Sequence, residues 1–438
     1  MSTPLAVPGA TTLAPVGMLA GGGQLPLEIA HSIIARGGRV HAVLIEGEAD
    51  QDWTGIAHTT VNWGAIGGMI SALKGAGCRD LVIIGRVRRP DPFKIRPDLG
   101  FFLALPRVLA LITAGGDDSL LRRCLRFFED HGLTVRGPGE VAPDLVAGAG
   151  PLGRVEAPAS ARQDMALGLS VVEALGAFDI GQVAVTANGR LIAIEGAEGT
   201  DGLIDRLPVA ARGGVLVKRP KPGQELRIDM PVIGPQTVTR AAEKGLAGIG
   251  VAAGNVLVAE KPEVIRRADA SGVFVTGVAA AGAGTSAHAG EASHRRGAWS
   301  TTPQSLVAIG VSQPTRKETV DAALGAAVVE AVSAFATGAS TLVSRRHVLA
   351  VGIDEEVAAF TTRVRGLRQW GDNGRWRRRG VLAWSETGQI TVAALEAVAA
   401  ARFAGLALPS RPADPIALIE AADRLGLFLL VPGPEAGR

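Results

Sequence analysis

The sequence predicts an α/β protein: an open, mostly parallel (Rossmann-like) sheet domain at the N-terminus, a second α/β domain, and a degenerate duplicate of that second domain. Two observations carry this. Short apolar runs alternate with helix-period stretches in β-α-β-α-β order at the start of the chain. An 18-residue stretch from Asp164 recurs from Asp321, 157 residues later, with 11 identities. At 438 residues the chain is long for one core, in keeping with several domains.

Val16–Ala20 (VGMLA) reads as a buried strand; three glycines then turn the chain, and GGGQLPLEIAHSIIARGG becomes helical. VHAVLIEG is a second strand and residues 81–87 (LVIIGRV) a third, with WGAIGGMISALKGAG as the helix between them. The segment 117–132 carries Leu120, Leu121, Leu125 and Phe128 on one helical stripe, opens on Asp-Asp-Ser and stops at Gly132. Residues 137–164, rich in Gly, Ala and Pro, read as a linker.

DMALGLSVVEALGAFDIG, from Asp164, pairs with DAALGAAVVEAVSAFATG, from Asp321. The match continues from GRLIAIEGAEGTDGLI to RHVLAVGIDEEVAAFT and from GVLVK to GVLAW, and ends with RRADASGVFVTG against IEAADRLGLFLLVPG. The expected divisions are 1–155, 164–278, a linker at 279–320, and 321–433, the linker including the low-complexity run 279–304. Both halves of a repeat must fold, so shared apolar positions such as Val171/Val328, Phe178/Phe335 and Phe274/Phe428 are read as packing. Polar residues that the later half has lost are candidates for chemistry. Asp179 becomes Ala336, Gln182 becomes Ala339, Glu195 becomes Gly352, Asp201 becomes Ala358 and Lys218 becomes Trp384, while residues 227–235 (RIDMPVIGP) have no counterpart.

Composition narrows the function. Tyrosine is absent and aromatics are 4% of the chain, which argues against stacking platforms for single-stranded nucleic acid. A net charge of +3, spread over short arginine clusters, argues against a duplex footprint and suits a small phosphorylated ligand or an anionic membrane face. Cys78 and Cys124 cannot build a disulfide framework and read as core thiols in a reducing compartment. The scattered histidines make a zinc site a poor fit. Without a basic signal start or a spanning apolar run, a cytoplasmic location is expected.

Gly21, Gly22 and Gly23 would let backbone N–H groups approach a phosphate at a helix N-terminus, although a plain β-to-α turn needs the same residues. The spacing is not that of a dinucleotide fingerprint, which counts against an oxidoreductase. Arg86, Arg88 and Arg89 fall at the carboxyl end of the third strand, where arginine forks suit diphosphate oxygens and a solvated basic loop is the plainer reading. Asp117 and Asp118 serve as N-caps or face a metal. The second domain supplies Asp179, Glu195, Glu198, Asp201 and Asp229; read as a strand, LRIDM puts Arg227 and Asp229 on one face. Magnesium needs only one or two carboxylates beside substrate phosphates, so a sparse set suffices. Lys218 and Lys221 would neutralise phosphate.

In order, LAGGGQLP, GRVRRP, GDDSLLR, DIGQ, EGTDGLI, GVLVKRPKPGQELRIDMPVIGPQTV and GLAGIGVAAGNVLV resemble the motifs of the LpxI-type UDP-2,3-diacylglucosamine pyrophosphatases, over about residues 15–278. The resemblance implies Mg2+-dependent hydrolysis of that diphosphate to UMP and 2,3-diacylglucosamine 1-phosphate in lipid A synthesis. It implies dependence on an aspartate at Asp229, as metal ligand or as the base orienting water; Asp179 and Asp201, which the later half has lost, are further metal candidates. Gly21, Gly22, Gly23, Arg88, Arg89, Gln182, Thr200, Lys218 and Gln224 are the expected substrate contacts. A lipid substrate implies peripheral contact with the cytoplasmic face of the inner membrane. The extra C-terminal segment departs from the family and is expected to be catalytically silent, making a pseudo-dimer within one chain or packing in a homodimer. The alternative is a non-catalytic lipid or nucleotide-sugar binding protein.

Overall fold

The computed structural model describes residues 14–86, 117–279, 305–367 and 378–433. These fall into two compact units. One gathers residues up to 147 with the excursions 223–235 and 254–264; the other takes 148–222, 236–253 and everything from 265.

The first unit holds a five-stranded sheet: β1 (Val16–Ala20), β2 (Val40–Ile45), β3 (His58–Val61), β4 (Asp80–Ile84) and β5 (Thr134–Val135). Their order is β3-β2-β1-β4-β5 and every pairing is parallel. The expected open parallel sheet is therefore present. Helices α1 (Leu25–Ala35), α2 (Ile66–Gly75) and α3 (Asp117–Asp130) provide its crossovers. Met18, Ala20, Ile29 and Ala30 are buried on one side, and Val43, Leu73, Leu81 and Leu125 in a second cluster.

The second unit contains two six-stranded sheets of like construction. The first comprises β6 (Gly150–Pro151), β7 (Val183–Ala187), β8 (Arg190–Ile194), β9 (Val215–Lys218), β11 (Gly248–Ala252) and β13 (Phe274–Val278), in the order β6-β13-β11-β9-β7-β8. A separate parallel pair, β10 (Val232–Ile233) and β12 (Leu257–Val258), belongs to the first unit. Helices α4 (Ala159–Leu175), α5 (Gly199–Asp205), α6 (Pro235–Glu243) and α7 (Lys261–Ser271) connect these strands. The second six-stranded sheet comprises β14 (Leu306–Ile309), β15 (Ala339–Ser344), β16 (His347–Ile353), β17 (Val381–Trp384), β18 (Gly405–Ala407) and β19 (Phe428–Pro432), ordered β14-β19-β18-β17-β15-β16. Its helices are α8 (Arg316–Ser333), α9 (Val357–Val364), α10 (Val392–Ala400) and α11 (Pro415–Leu425). Position for position the two orders agree, and so do the strand directions.

Equivalent residues do equivalent work in the two sheets. Asp164 in α4 accepts the Asn188 and Gly189 amides of the β7–β8 turn at 3.1 and 2.7 Å. Asp321 in α8 accepts the Arg345 and Arg346 amides at 2.9 and 2.7 Å. Gly168 and Gly325 let each helix close on its sheet: a Cβ at Gly168 would lie 2.7 Å from Val217, and one at Gly325 would lie 3.0 Å from Ala383.

Several elements differ from expectation. β3 is an additional strand, a half-exposed edge whose HTTV lacks an apolar run. The third strand stops at Ile84, because Gly85 takes φ +108 and Arg86 turns to bridge Gly22. Residues 137–164 are more than a linker, since they contain β6 and the start of α4. Likewise β14 and the start of α8 lie within 305–320, while 280–304 falls outside the described residues.

Candidate functional site

In the first unit the strand order reverses between β1 and β4, the place where ligands of open α/β sheets collect. Gly21–Gly23 follow β1 there. Glycine is required by close approach: a Cβ on Gly21 would strike the Arg86 carbonyl, and one on Gly22 would lie 2.7 Å from the Glu48 oxygen. The amides are engaged within the protein. Gly21 N–H donates to Ile84 O at 2.9 Å and Gly22 N–H to Arg86 O at 2.8 Å. Gly23 N–H donates to the Asp50 carboxylate at 2.8 Å. The Gln51 side chain, then that amide, hold the Asp50 carboxyl below its ordinary range. An anion does sit on the glycine turn, and in this structure it is Asp50. Arg88 and Arg89 lie outside the described residues, as do the side chains of Asp117 and Asp118.

Asp229 also belongs to the first unit. LRIDM, expected as a strand, is a turn: the Ile228 and Asp229 amides both return to Glu225 O, at 3.3 and 3.0 Å. The turn separates the two side chains that alternation would have paired. Arg227 reaches Glu225 at 2.8 Å and Glu129 at 3.0 Å. Its bonds hold the Glu225 carboxyl below the usual glutamate range, and Glu225 in turn raises the Arg227 guanidinium. Asp229 instead receives the Gln224 side-chain amide, which donates to its Oδ2 and to its carbonyl oxygen, each at 2.7 Å. Gln224 and Asp229 are thus brought together, as two ends of one tight turn.

In the second unit, Gln182, Thr200 and Lys218 converge on Glu195. The Gln182 backbone N–H donates to Glu195 Oε2 at 2.6 Å, and the Thr200 hydroxyl donates to Oε1 at 2.7 Å. Lys218 Nζ donates to Thr200 Oγ1 at 3.1 Å. Lys218 is the last residue of β9 and lies opposite Val183, the first of β7, so the group sits at one end of the sheet. Both Glu195 and Lys218 are only 8% exposed. A buried charge is costly unless it is compensated, and here each takes part in hydrogen bonds: Glu195 with Gln182 and Thr200, Lys218 with Thr200. Gly181 makes room for Glu195, since a Cβ there would strike its carbonyl oxygen and lie 2.6 Å from its Cβ.

Among the described residues the second sheet carries no such group. Strand pairing sets Ser340 against Trp384 as it sets Val183 against Lys218, so the indole stands where the ammonium stood. Trp384 and Phe360 are fully buried and meet edge to face, with centroids 5.4 Å apart. Gly352, at the position of Glu195, is the vacated space that Phe360 fills: a Cβ there would lie 2.7 Å from its ring. Hydrophobic packing has replaced the polar cluster.

The remaining acids are occupied differently. Asp179, held at φ +57, pairs with Lys221. Asp201 lies 3.7 Å from Arg240, whose main partner is Asp205 at 2.6 Å. Glu198 is bound to Arg206 at 2.9 Å. Both are retained in the later half: Glu198 and Arg206 recur as Glu355 and Arg363 at the common offset. Among the described residues no three His, Cys, Asp or Glu side chains gather in a way that could hold a metal ion. A hard dication needs fewer, because substrate phosphates and water complete its shell. Asp229, whose described partner is a neutral amide, fits that sparse ligation better than two aspartates already facing cations.

Comparison with known proteins matches residues 15–145 to the LpxI N-terminal domain and 148–276 to the LpxI C-terminal domain. The UDP-2,3-diacylglucosamine pyrophosphatase LpxI of Caulobacter vibrioides is 39% identical over 272 residues, which cover 60% of this chain and 97% of that protein.

Proposed function

The chain belongs to the LpxI family, and from that premise we propose that it hydrolyses the diphosphate of UDP-2,3-diacylglucosamine in lipid A synthesis, giving UMP and 2,3-diacylglucosamine 1-phosphate. The observation that supports this best is the buried Lys218–Thr200–Glu195 group. It is kept in the sheet that the family match covers and replaced by Trp384 and Gly352 in the other. A diphosphate carries several negative charges, and a fixed ammonium out of water stabilises charge building on its oxygens. Glu195 fixes the polarity: the Thr200 hydroxyl donates its hydrogen bond to that carboxylate, so the hydroxyl oxygen accepts from Lys218. The three ammonium protons then have a set direction. Gln182 anchors the opposite carboxylate oxygen through its backbone.

We infer Mg2+ as the cofactor, with Asp229 as the residue that would hold it. When bound, such an ion neutralises phosphate charge and acidifies water. Gln224 holds one carboxylate oxygen of Asp229, and the other would be the one to take an ion or a water. Asp179 and Asp201 are assigned to their ion pairs with Lys221 and Arg240. Contact with the membrane surface follows from the lipid nature of the substrate; among the described residues no helix is long and apolar enough to cross a membrane. The C-terminal domain is read as a duplicate of the preceding one that has lost its chemistry.

The test is phosphorus NMR of the full chain incubated with the lipid substrate and Mg2+. Two phosphomonoester resonances should replace the diphosphate pair. Persistence of the diphosphate, with lipid bound to the protein, would favour a binding protein instead.

A further inference from the structure

The two six-stranded sheets meet through the same elements of each. Edge strand β8 lies against edge strand β16, and α4 against α8. Residues of β8 and α4 have their counterparts in β16 and α8 at the uniform offset of 157. Val171, Val172 and Leu175 share one buried cluster with Val328, Val329 and Val332, again at that offset. A patch packed on its own equivalent is the isologous geometry of a two-fold dimer, here realised within one polypeptide.

The charged residues least exposed at this seam, Glu198, Arg206, Glu355 and Arg363, are ones that both sheets kept. Arg206 holds Glu198 at 2.9 Å and the Ile194 carbonyl at 2.6 Å. Arg363 holds Glu355 at 2.9 and 2.6 Å and the equivalent Val351 carbonyl at 3.3 Å. The two pairs join where Arg206 lies 3.8 Å from Glu355. Beside them the Ala197 N–H donates to the Leu349 carbonyl at 2.8 Å, and a Cβ on Gly196 would come within 2.6 Å of the same oxygen. The residues so held, Gly196 to Glu198, lie between Glu195 and Thr200, two members of the buried polar group.

We propose that the C-terminal domain, silent in chemistry, is a positioning element for the preceding one. Through Leu349, Glu355 and Arg363 it holds segment 196–206 in place and so sets Thr200 against Lys218 and Glu195. The retention of this quartet beside the loss of Lys218, Gln182 and Glu195 equivalents follows: the seam is needed on both sides, the chemistry on one. Glu355 and Arg363 are therefore positioning residues and not catalytic ones. The kinetic part of this inference rests on the reading that Thr200 and Lys218 act on the diphosphate.

The experiment uses the full chain with Glu355→Ala, and with the double change Glu355→Gln/Arg363→Gln, which removes a whole ion pair and leaves Arg206 with Glu198. Arg190→Ala is the control, since its 3.8 Å pair with Asp354 crosses the same seam on exposed side chains. Both seam variants should lower kcat 5- to 20-fold with KM within twofold, and should speed amide hydrogen exchange in 196–204. Arg190→Ala should change neither. Unchanged exchange in 196–204, or unchanged kcat in an active enzyme, overturns the proposal. If the wild-type chain releases no UMP while exchange still rises in the variants, the functional reading fails and the mechanical coupling stands.

Discussion

Lys218→Met is the sharpest probe of the buried polar group, because it removes the ammonium and keeps most of the stem. Lys218 is 8% exposed and donates to Thr200 at 3.1 Å, so its charge acts where water screens little. Loss of one preorganised electrostatic group in such a site costs about 10²–10³ in kcat, or about 2.7–4 kcal/mol. The stability cost is smaller. Glu195 keeps its bonds from Gln182 and Thr200, and the lost charged hydrogen bond is worth about 1–3 kcal/mol, within the ~5–15 kcal/mol by which domains are stable. UMP release at saturating substrate, read beside circular-dichroism melting, separates the two effects. A folded Lys218→Met chain with kcat within threefold of wild type would refute the assignment. Trp384→Phe, the change at the equivalent position of the second sheet, should leave kcat within twofold.

Other outcomes follow from close approaches and burial. Gly181→Val must displace Glu195, whose Cβ would lie 2.6 Å from the new one, and should cut kcat at least tenfold. Gly21→Ala meets backbone at Arg86 and should destabilise by about 1–3 kcal/mol in urea melts. Burial pushes the Cys124 thiol up to about 11 and raises Cys78 too, so both should resist iodoacetamide at pH 8 until the chain is unfolded. Glu225 is depressed by Arg227, so its stabilisation of the Asp229 turn is complete above the ordinary value of 4.5 and lost as pH falls through the lower folded value. Hydrogen exchange at Ile228 and Asp229 should stay slow at pH 5 and quicken only below that pH, after correction for intrinsic rates.

The alternation of apolar runs and glycine stops made β1, β2 and α1 legible, since a strand buried on both faces and an amphipathic helix leave different periods. The repeat made the second and third sheets legible together, down to Trp384 standing in register for Lys218. What escaped was long-range. Residues 223–235 lie between strands of the second unit in sequence yet pack in the first, through Arg227 to Glu129 and Val232 to Leu257. No local pattern states such a partner. Lys221 and Arg240 reach Asp179 and Asp201 only in the folded chain, so the sequence does not display those ion pairs. The Glu198–Arg206 pair does leave a trace in the sequence, because both residues recur as Glu355 and Arg363.

The most direct measurement compares UMP formation from UDP-2,3-diacylglucosamine by the wild-type chain and by Asp229→Ala, both with Mg2+. Wild-type turnover, with the variant reduced by several orders of magnitude while remaining folded, is the expected result. Equal turnover in the two, or none in the wild type, would contradict the account.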